Sequence, residues 1–209
     1  MTRFRRCTVP PAKPYPPNSF NPSLGKDWTV DTDGARFSPF PDMQAVNVAS
    51  LYTGSTYEAA ALESVFHQVP HIKSPEVMRS QVETWEYFEL RTERALRVVE
   101  LTNPQLRQLK VPGRVESLRQ DELVDSPPSQ YPATRTWAKL LHDHIPGLEG
   151  LAWKPRLAGK DWSYVFFGDR CGPDDFTVVR SPISLTGPKE YSRIKAIADM
   201  ANITINYSK

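Results

Sequence analysis

The sequence has few cysteines and lacks a long apolar run. Cys7 and Cys171 are the two cysteines of 209 residues. They are too few for a disulfide framework and lack the spacing of a metal site, so we expect free thiols in a reducing compartment. No stretch reaches the roughly 18 apolar residues of a membrane-spanning helix. Because prolines, and no apolar segment, follow the basic start, a secretion signal is not expected and the chain is predicted to be cytoplasmic.

An excess of one charge is also absent. Lys and Arg number 26 against 24 Asp and Glu, which gives a net charge of +2. With no zinc-finger, helix-turn-helix or RNA-recognition pattern, this balance argues against direct nucleic-acid binding. The basic start MTRFRR is interpreted as a solvated tail. Neither G-x-G-x-x-G nor G-x-x-x-x-G-K-[ST] occurs, so any dinucleotide would have to bind without these fingerprints.

Proline, in contrast, is abundant. The 20 prolines cluster at residues 10–22, 39–41 and 127–132. Since each proline fixes φ and removes a backbone donor, these segments are predicted to be loops or extended arms. We expect residues 1–30 to form a proline-rich arm packed on a single domain of residues 31–209.

Residue patterns predict an α+β fold. Enrichment in β-branched and aromatic residues predicts strands at 46–52, 84–90, 96–101, 150–153, 163–168, 176–180 and 203–207. Helical spacing and capping signals predict helices at 56–67, 104–109, 133–144 and 188–200. Strands outnumber helices and do not alternate strictly with them. The prediction is therefore a mixed or antiparallel twisted sheet with flanking helices.

The stretch from Gly34 to His71 places polar groups where a fold usually has apolar ones. Ser55 to Glu58 has the pattern of a capping box, which predicts a helix that starts at about Thr56. Glu63 and His67 lie four residues apart, beside the apolar face of this helix. Burying a lone carboxylate costs several kcal/mol, roughly. Glu63 is therefore expected either to pair with a positively charged group or to have a role in the function of the protein.

Six segments, in order along the chain, resemble the RES domain, a family named for an Arg, a Glu and a Ser. They are GARF, SLYTGS, ALESVFH, YPATRTWAKLLHDH with GLEGLAWKPR, and VFFGDR. The resemblance covers most of the chain except residues from about 75 to 130. At the family's serine position this chain has Pro155, which lacks a hydroxyl and a backbone N–H. Ser163 and Thr134 are the hydroxyls that we consider as replacements.

The resemblance implies a bacterial toxin with an ADP-ribosyltransferase-like fold. RES toxins destroy NAD+ and pair with a helix-turn-helix antitoxin. The expected reaction is cleavage of the nicotinamide–ribose bond by water or phosphate, with NAD+ as substrate and no required cofactor or metal. Transfer of ADP-ribose to a protein and a catalytically attenuated binding module are the alternatives. Contact with nucleic acid is expected only through the antitoxin, and the oligomeric state is left open.

The same resemblance suggests a role for each candidate residue. Arg36 would clamp the pyrophosphate in a bidentate fork, and Glu63 would stabilise a cationic ribose. Tyr52 would offer its ring or hydroxyl to the ligand. These three are the catalytic candidates. The further NAD+-binding candidates are Arg135, Trp153 and Arg156.

Structural alternatives stay open for these residues. Arg36 could pair with Asp31 or Asp33, and Glu63 could form an ion pair on the helix surface. Tyr52 and Trp153 could be core residues.

The histidines have structural alternatives as well. His67 could orient Glu63, although a packed or solvated histidine is the commoner case. His142 and His144 flank Asp143, where a cationic helix end is favoured over a metal site because residues two apart point apart on a helix.

Overall fold

The computed structural model describes residues 2–6, 35–38, 40–67, 69, 75–103, 106, 120–155 and 160–207. The strands are β1 Thr2–Arg6, β2 Ser50–Gly54, β3 Glu76–Met78, β4 Trp85–Thr92, β5 Val98–Glu100, β6 Gly150–Trp153, β7 Ser163–Phe167, β8 Phe176–Ser184 and β9 Thr204–Asn206. The helices are α1 Tyr57–Leu62, α2 Arg79–Val82, α3 Gln120–Leu123, α4 Tyr131–His144 and α5 Pro188–Met200. Short 3-10 turns occupy Pro128–Gln130 and Pro173–Asp175.

A mixed seven-stranded sheet organises the domain. Its order is β5-β6-β7-β2-β1-β4-β8. β5 and β6 are parallel, whereas the other neighbours are antiparallel. β3 and β9 form a separate parallel pair. The predicted mixed sheet in a single α+β domain is confirmed.

Two apolar clusters cover one face of the large sheet. α1 and α5 pack around Tyr87 of β4, and α4 packs over Val165 and Phe167 of β7. A third cluster, which includes Phe88 and Phe166, lies on the opposite face because successive strand residues point to opposite sides. The site described below lies on the first face, where the C-terminal end of α1 approaches the start of α4.

α1 starts near the predicted position but is shorter than predicted. Its cap is Thr56, whose hydroxyl accepts the Ala59 N–H at 3.1 Å. The predicted cap Ser55 instead accepts the Trp162 N–H at 2.9 Å. The helix ends at Leu62 and does not continue to His67. The backbone N–H of Phe66 donates to the Ala61 carbonyl, five residues back, and this wider turn places Phe66 in the core.

Gly54 brings α1 directly onto the end of β2. A Cβ atom at this position would lie 2.4 Å from the backbone nitrogen of Ala60. The glycine is therefore required by a close approach between a strand and the helix that follows it.

Other boundaries differ from the predictions. The segment interpreted as a solvated tail forms β1, which pairs with both β2 and β4. The strand predicted at 46–52 begins at Ser50, since residues 41–47 form a turn closed by an isolated Pro41–Asn47 bridge. β8 extends to Ser184, and β3, α2 and α3 were not predicted. Apart from Leu106, the helix predicted at 104–109 lies outside the described residues, as do Met1 and residues 7–30 of the predicted arm.

Among the described residues, no helix has the length and apolar character needed to cross a membrane. The Cys171 thiol is buried, and burial raises its pKa to about 12. This thiol therefore stays protonated at neutral pH, as expected for a structural free cysteine.

Candidate active site

Arg36 lies in a turn that is anchored by Tyr52. The Tyr52 hydroxyl accepts the Phe37 N–H at 3.0 Å and the Ser38 hydroxyl at 3.2 Å. Ser50 donates in turn to the Ser38 hydroxyl at 2.7 Å. Because Phe37 and Ser38 are buried, these bonds fix the position of the backbone that carries Arg36.

α4 holds the same turn from the other side. The Thr134 hydroxyl is hydrogen-bonded to the Arg36 carbonyl and also lies 3.0 Å from the Tyr131 carbonyl. Arg135 donates to the Ala35 carbonyl at 3.4 Å. Thr134 is fully buried, and its hydroxyl already serves backbone carbonyls. It is therefore poorly placed to replace the family serine.

Glu63 lies at the C-terminal cap of α1, next to Arg36. Its Oε2 atom is 3.6 Å from Arg36 Nη1 and 3.9 Å from His67 Nδ1. The Arg36 and Glu63 side chains are 11% and 18% exposed, respectively. A carboxylate at a helix C-terminus faces the negative end of the helix dipole, so this position is unfavourable without nearby positive charge. Arg36 supplies that charge.

Tyr131, the first residue of α4, connects His67 with Arg36. Its hydroxyl is 2.6 Å from His67 Nε2, and the two rings are stacked with centroids 6.0 Å apart. The Arg36 guanidinium carbon lies 5.5 Å from the centre of the Tyr131 ring. Burial raises the pKa of Tyr131. The sequence analysis did not select this tyrosine, although its place at the start of the predicted α4 segment was a usable signal.

Tyr52 belongs to the floor beneath the Arg36 turn. Burial raises its pKa to about 12, so the phenol stays protonated at neutral pH. Its ring meets Trp153 edge-on at 6.2 Å, and Trp153 meets Phe37 at 5.1 Å. Trp153 is 1% exposed. Tyr52 and Trp153 therefore shape the site by packing.

Buried donors in the Arg36 turn, β6 and β7 have no hydrogen-bond partner within the described part of the chain. They are Arg36 Nε, Trp153 Nε1 and Ser163 Oγ. Ser163 is the cross-strand neighbour of both Trp153 and Gly54, so it shares their face. Pro155, also buried, follows the end of β6. Unsatisfied buried donors are uncommon in folded proteins, and this group marks a place where acceptor atoms of a ligand could bind.

Of the other sequence candidates, Arg156, Asp31 and Asp33 fall outside the described residues. His142 is buried at the far end of α4, between Asp143 and Asp169. His144 Nδ1 lies 2.9 Å from the Leu140 carbonyl. In the described ranges, no group of three or more His, Cys, Asp or Glu is arranged to hold a metal ion.

Comparison with known families gives one match. Residues 11–186 match the family described as the RES domain. This range includes every candidate residue discussed above. Neither a curated protein nor a solved structure matches the chain significantly.

Proposed function

Because the chain belongs to the RES-domain family, we propose that it is the toxin of a type II toxin–antitoxin system and that it cleaves the nicotinamide–ribose bond of NAD+. Family membership is consistent with a toxin-like, NAD-related function. The acceptor of the ADP-ribosyl group is water or inorganic phosphate in this proposal. NAD+ is a substrate, and no cofactor is invoked.

The pairing of Arg36 with Glu63 is the observation that carries the proposal. A guanidinium and a carboxylate, both largely shielded from solvent, lie 3.6 Å apart at the junction of α1 and α4. NAD+ cleavage needs these two charges close together. The pyrophosphate is an anion that suits the arginine, and the ribose becomes cationic as its bond to nicotinamide breaks.

Binding exchanges the partners of the two residues. The Arg36 guanidinium turns from Glu63 to the pyrophosphate oxygens, and the Glu63 carboxylate then faces the ribose. As the bond between ribose C1′ and the nicotinamide nitrogen breaks, its electron pair leaves with neutral nicotinamide. Positive charge develops on the ribose ring, and the carboxylate stabilises it electrostatically. Water or phosphate then adds to C1′ and loses its proton.

Product analysis after incubation with NAD+ tests this function. The purified chain should release nicotinamide, with ADP-ribose formed in water and ADP-ribose-1″-phosphate formed if phosphate is the acceptor. Modification of an added protein would instead indicate ADP-ribosyl transfer. Glu58→Gln is a matched control for Glu63→Gln, because Glu58 lies at the opposite end of α1 from Glu63. If the chain releases no nicotinamide in water, with phosphate or with an added protein, the enzymatic proposal fails.

Pro155 supports a second candidate function. Because it has no hydroxyl where the family has a serine, the chain could be a catalytically attenuated member that acts by binding. This alternative predicts NAD+ or antitoxin binding without nicotinamide release. The Ser163 hydroxyl lies on the site face and has no hydrogen-bond partner among the described residues, which favours the enzymatic proposal over this one.

An antitoxin with a helix-turn-helix domain is the proposed partner. A cell cannot tolerate unchecked loss of NAD+, so we expect a segment of the antitoxin to cover the Arg36–Glu63 junction. Co-expression with the cognate antitoxin should then restore growth and NAD+ levels. Unchanged toxicity and unchanged NAD+ depletion would count against the pairing.

A further inference from the structure

Four side chains from three segments form a continuous set of contacts, which we name the Glu63 cluster. Arg36 contacts Glu63, Glu63 lies within ion-pair distance of His67, His67 contacts Tyr131, and the Tyr131 ring faces Arg36. The Arg36 turn, the end of α1 and the start of α4 each contribute to it. Arg36 and Glu63 have roles in the proposed reaction, whereas His67 and Tyr131 do not.

Tyr131 is more buried than the other three members. It is 8% exposed, and it begins a 14-residue helix. Its carbonyl lies 3.0 Å from the Thr134 hydroxyl, one turn further along α4. A residue held by its helix can position a neighbour that lies in an irregular turn, as His67 does.

The contact between Tyr131 and His67 specifies a hydrogen-bond direction. Burial raises the pKa of Tyr131, so its phenol keeps its proton and can donate to His67 Nε2 over 2.6 Å. A neutral imidazole that accepts at Nε2 carries its proton on Nδ1. That Nδ1 atom is the one that lies 3.9 Å from Glu63 Oε2.

We propose that His67 and Tyr131 are positioning residues that orient the Glu63 carboxylate for the reaction, with the Tyr131 hydroxyl holding the imidazole and the imidazole holding Glu63. This proposal rests on the proposed function. When Arg36 turns to the pyrophosphate, Glu63 loses its cationic neighbour at 3.6 Å. His67, whose Nδ1 atom lies 3.9 Å from the same Oε2 atom, then closes to hydrogen-bond distance and keeps the carboxylate directed at the ribose. The imidazole thus replaces the guanidinium as the group that restrains Glu63.

Tyr131→Phe isolates the hydroxyl, because the ring over Arg36 is retained. We expect kcat for nicotinamide release to fall about tenfold with little change in KM, the scale of one lost hydrogen bond. Tyr164→Phe is the matched control, since Tyr164 is half-buried on the opposite face of the sheet. It should leave kcat unchanged.

Double variants separate positioning from general damage. If Tyr131 acts through His67 and Glu63, Tyr131→Phe should have no further effect in a His67→Ala chain or in a Glu63→Gln chain. A structural role would instead lower turnover by the same factor in every background.

Two results would overturn the proposal. One is an unchanged kcat in Tyr131→Phe while the unaltered chain is active. The other is an undiminished effect of Tyr131→Phe in the Glu63→Gln background. If the unaltered chain itself releases no nicotinamide, the proposed function fails and the positioning roles fall with it.

Discussion

Two histidine clusters at opposite ends of α4 differ in how completely their polar atoms are bonded. The second, which we name the His142 cluster, contains His142, Asp143, Asp169 and Arg170. His142 Nδ1 is 3.0 Å from Asp143, and its Nε2 is 2.8 Å from Asp169. Arg170 donates to the carbonyls of Ile145, Leu148 and His142 at 2.6 to 3.2 Å. Short contacts of this kind fasten the end of α4 to the turn after β7.

The Glu63 cluster differs at Arg36. The ion pairs of Glu63 with Arg36 and His67 span 3.6 and 3.9 Å, and Arg36 Nε has no hydrogen-bond partner within the described ranges. Both clusters combine histidine, carboxylate and arginine, so residue type does not distinguish them. The difference lies in bonding capacity. In the His142 cluster, the histidine and arginine nitrogens contact protein acceptors, whereas in the Glu63 cluster the Arg36 Nε donor is left for a ligand.

Glu63→Gln should give the largest effect on turnover. The change keeps the size of the side chain and removes the charge that stabilises the ribose cation. We expect nicotinamide release to fall by on the order of 10²-fold or more, the scale of losing a preorganised electrostatic contact. Initial rates at saturating NAD+ measure this effect. A rate within twofold of the unaltered chain would remove Glu63 from the reaction.

Arg36→Ala should reduce both binding and rate. The pyrophosphate clamp is engaged in the bound state as well as in the transition state, so KM should rise and kcat should fall. We expect kcat/KM to decrease on the order of 50-fold. Steady-state kinetics over a range of NAD+ concentrations separate the two parameters. An unchanged KM would show that Arg36 does not hold the substrate.

Much of this organisation could be predicted from the sequence. The alternation of β-branched and aromatic residues located most strands of the large sheet, and the polar interruptions between Gly34 and His71 selected Arg36, Tyr52 and Glu63. Long-range pairing could not be predicted. β1 lies between β2 and β4 because of backbone hydrogen bonds that no local pattern encodes. Tyr131 was missed for a similar reason, since its contacts with His67 and Arg36 depend on where the fold places the start of α4.

His142→Ala should affect stability and not turnover. Removing a buried imidazole leaves a cavity and leaves Asp169 without its contact at 2.8 Å. We expect a loss of about 2 kcal/mol in the free energy of unfolding. Urea unfolding followed by fluorescence measures this loss. Unchanged stability would contradict a structural role for the His142 cluster.

Ser163→Ala should lower turnover by about tenfold, the scale of one hydrogen bond to a substrate. The hydroxyl has no partner within the described part of the chain, so its removal should not lower the melting temperature. Ser126→Ala is the control, because this buried hydroxyl already donates to the Leu123 carbonyl. It should affect stability alone.

Pro155→Ser also tests which residue supplies the hydroxyl to the substrate, and it has the smallest expected effect on turnover. If Ser163 already supplies the hydroxyl, restoring the family serine should leave nicotinamide release nearly unchanged. Release that rises in Pro155→Ser while Ser163→Ala has no effect would instead identify the native chain as an attenuated enzyme.

The comparison between the two clusters is tested most directly by one paired rate measurement. Nicotinamide release per folded molecule is measured for Glu63→Gln and His142→Ala beside the unaltered chain, with folded protein quantified by circular dichroism. The Glu63 cluster is the reaction centre if Glu63→Gln loses on the order of 10²-fold in rate while His142→Ala keeps the unaltered rate. Equal losses in both variants, or a loss confined to His142→Ala, would contradict that assignment.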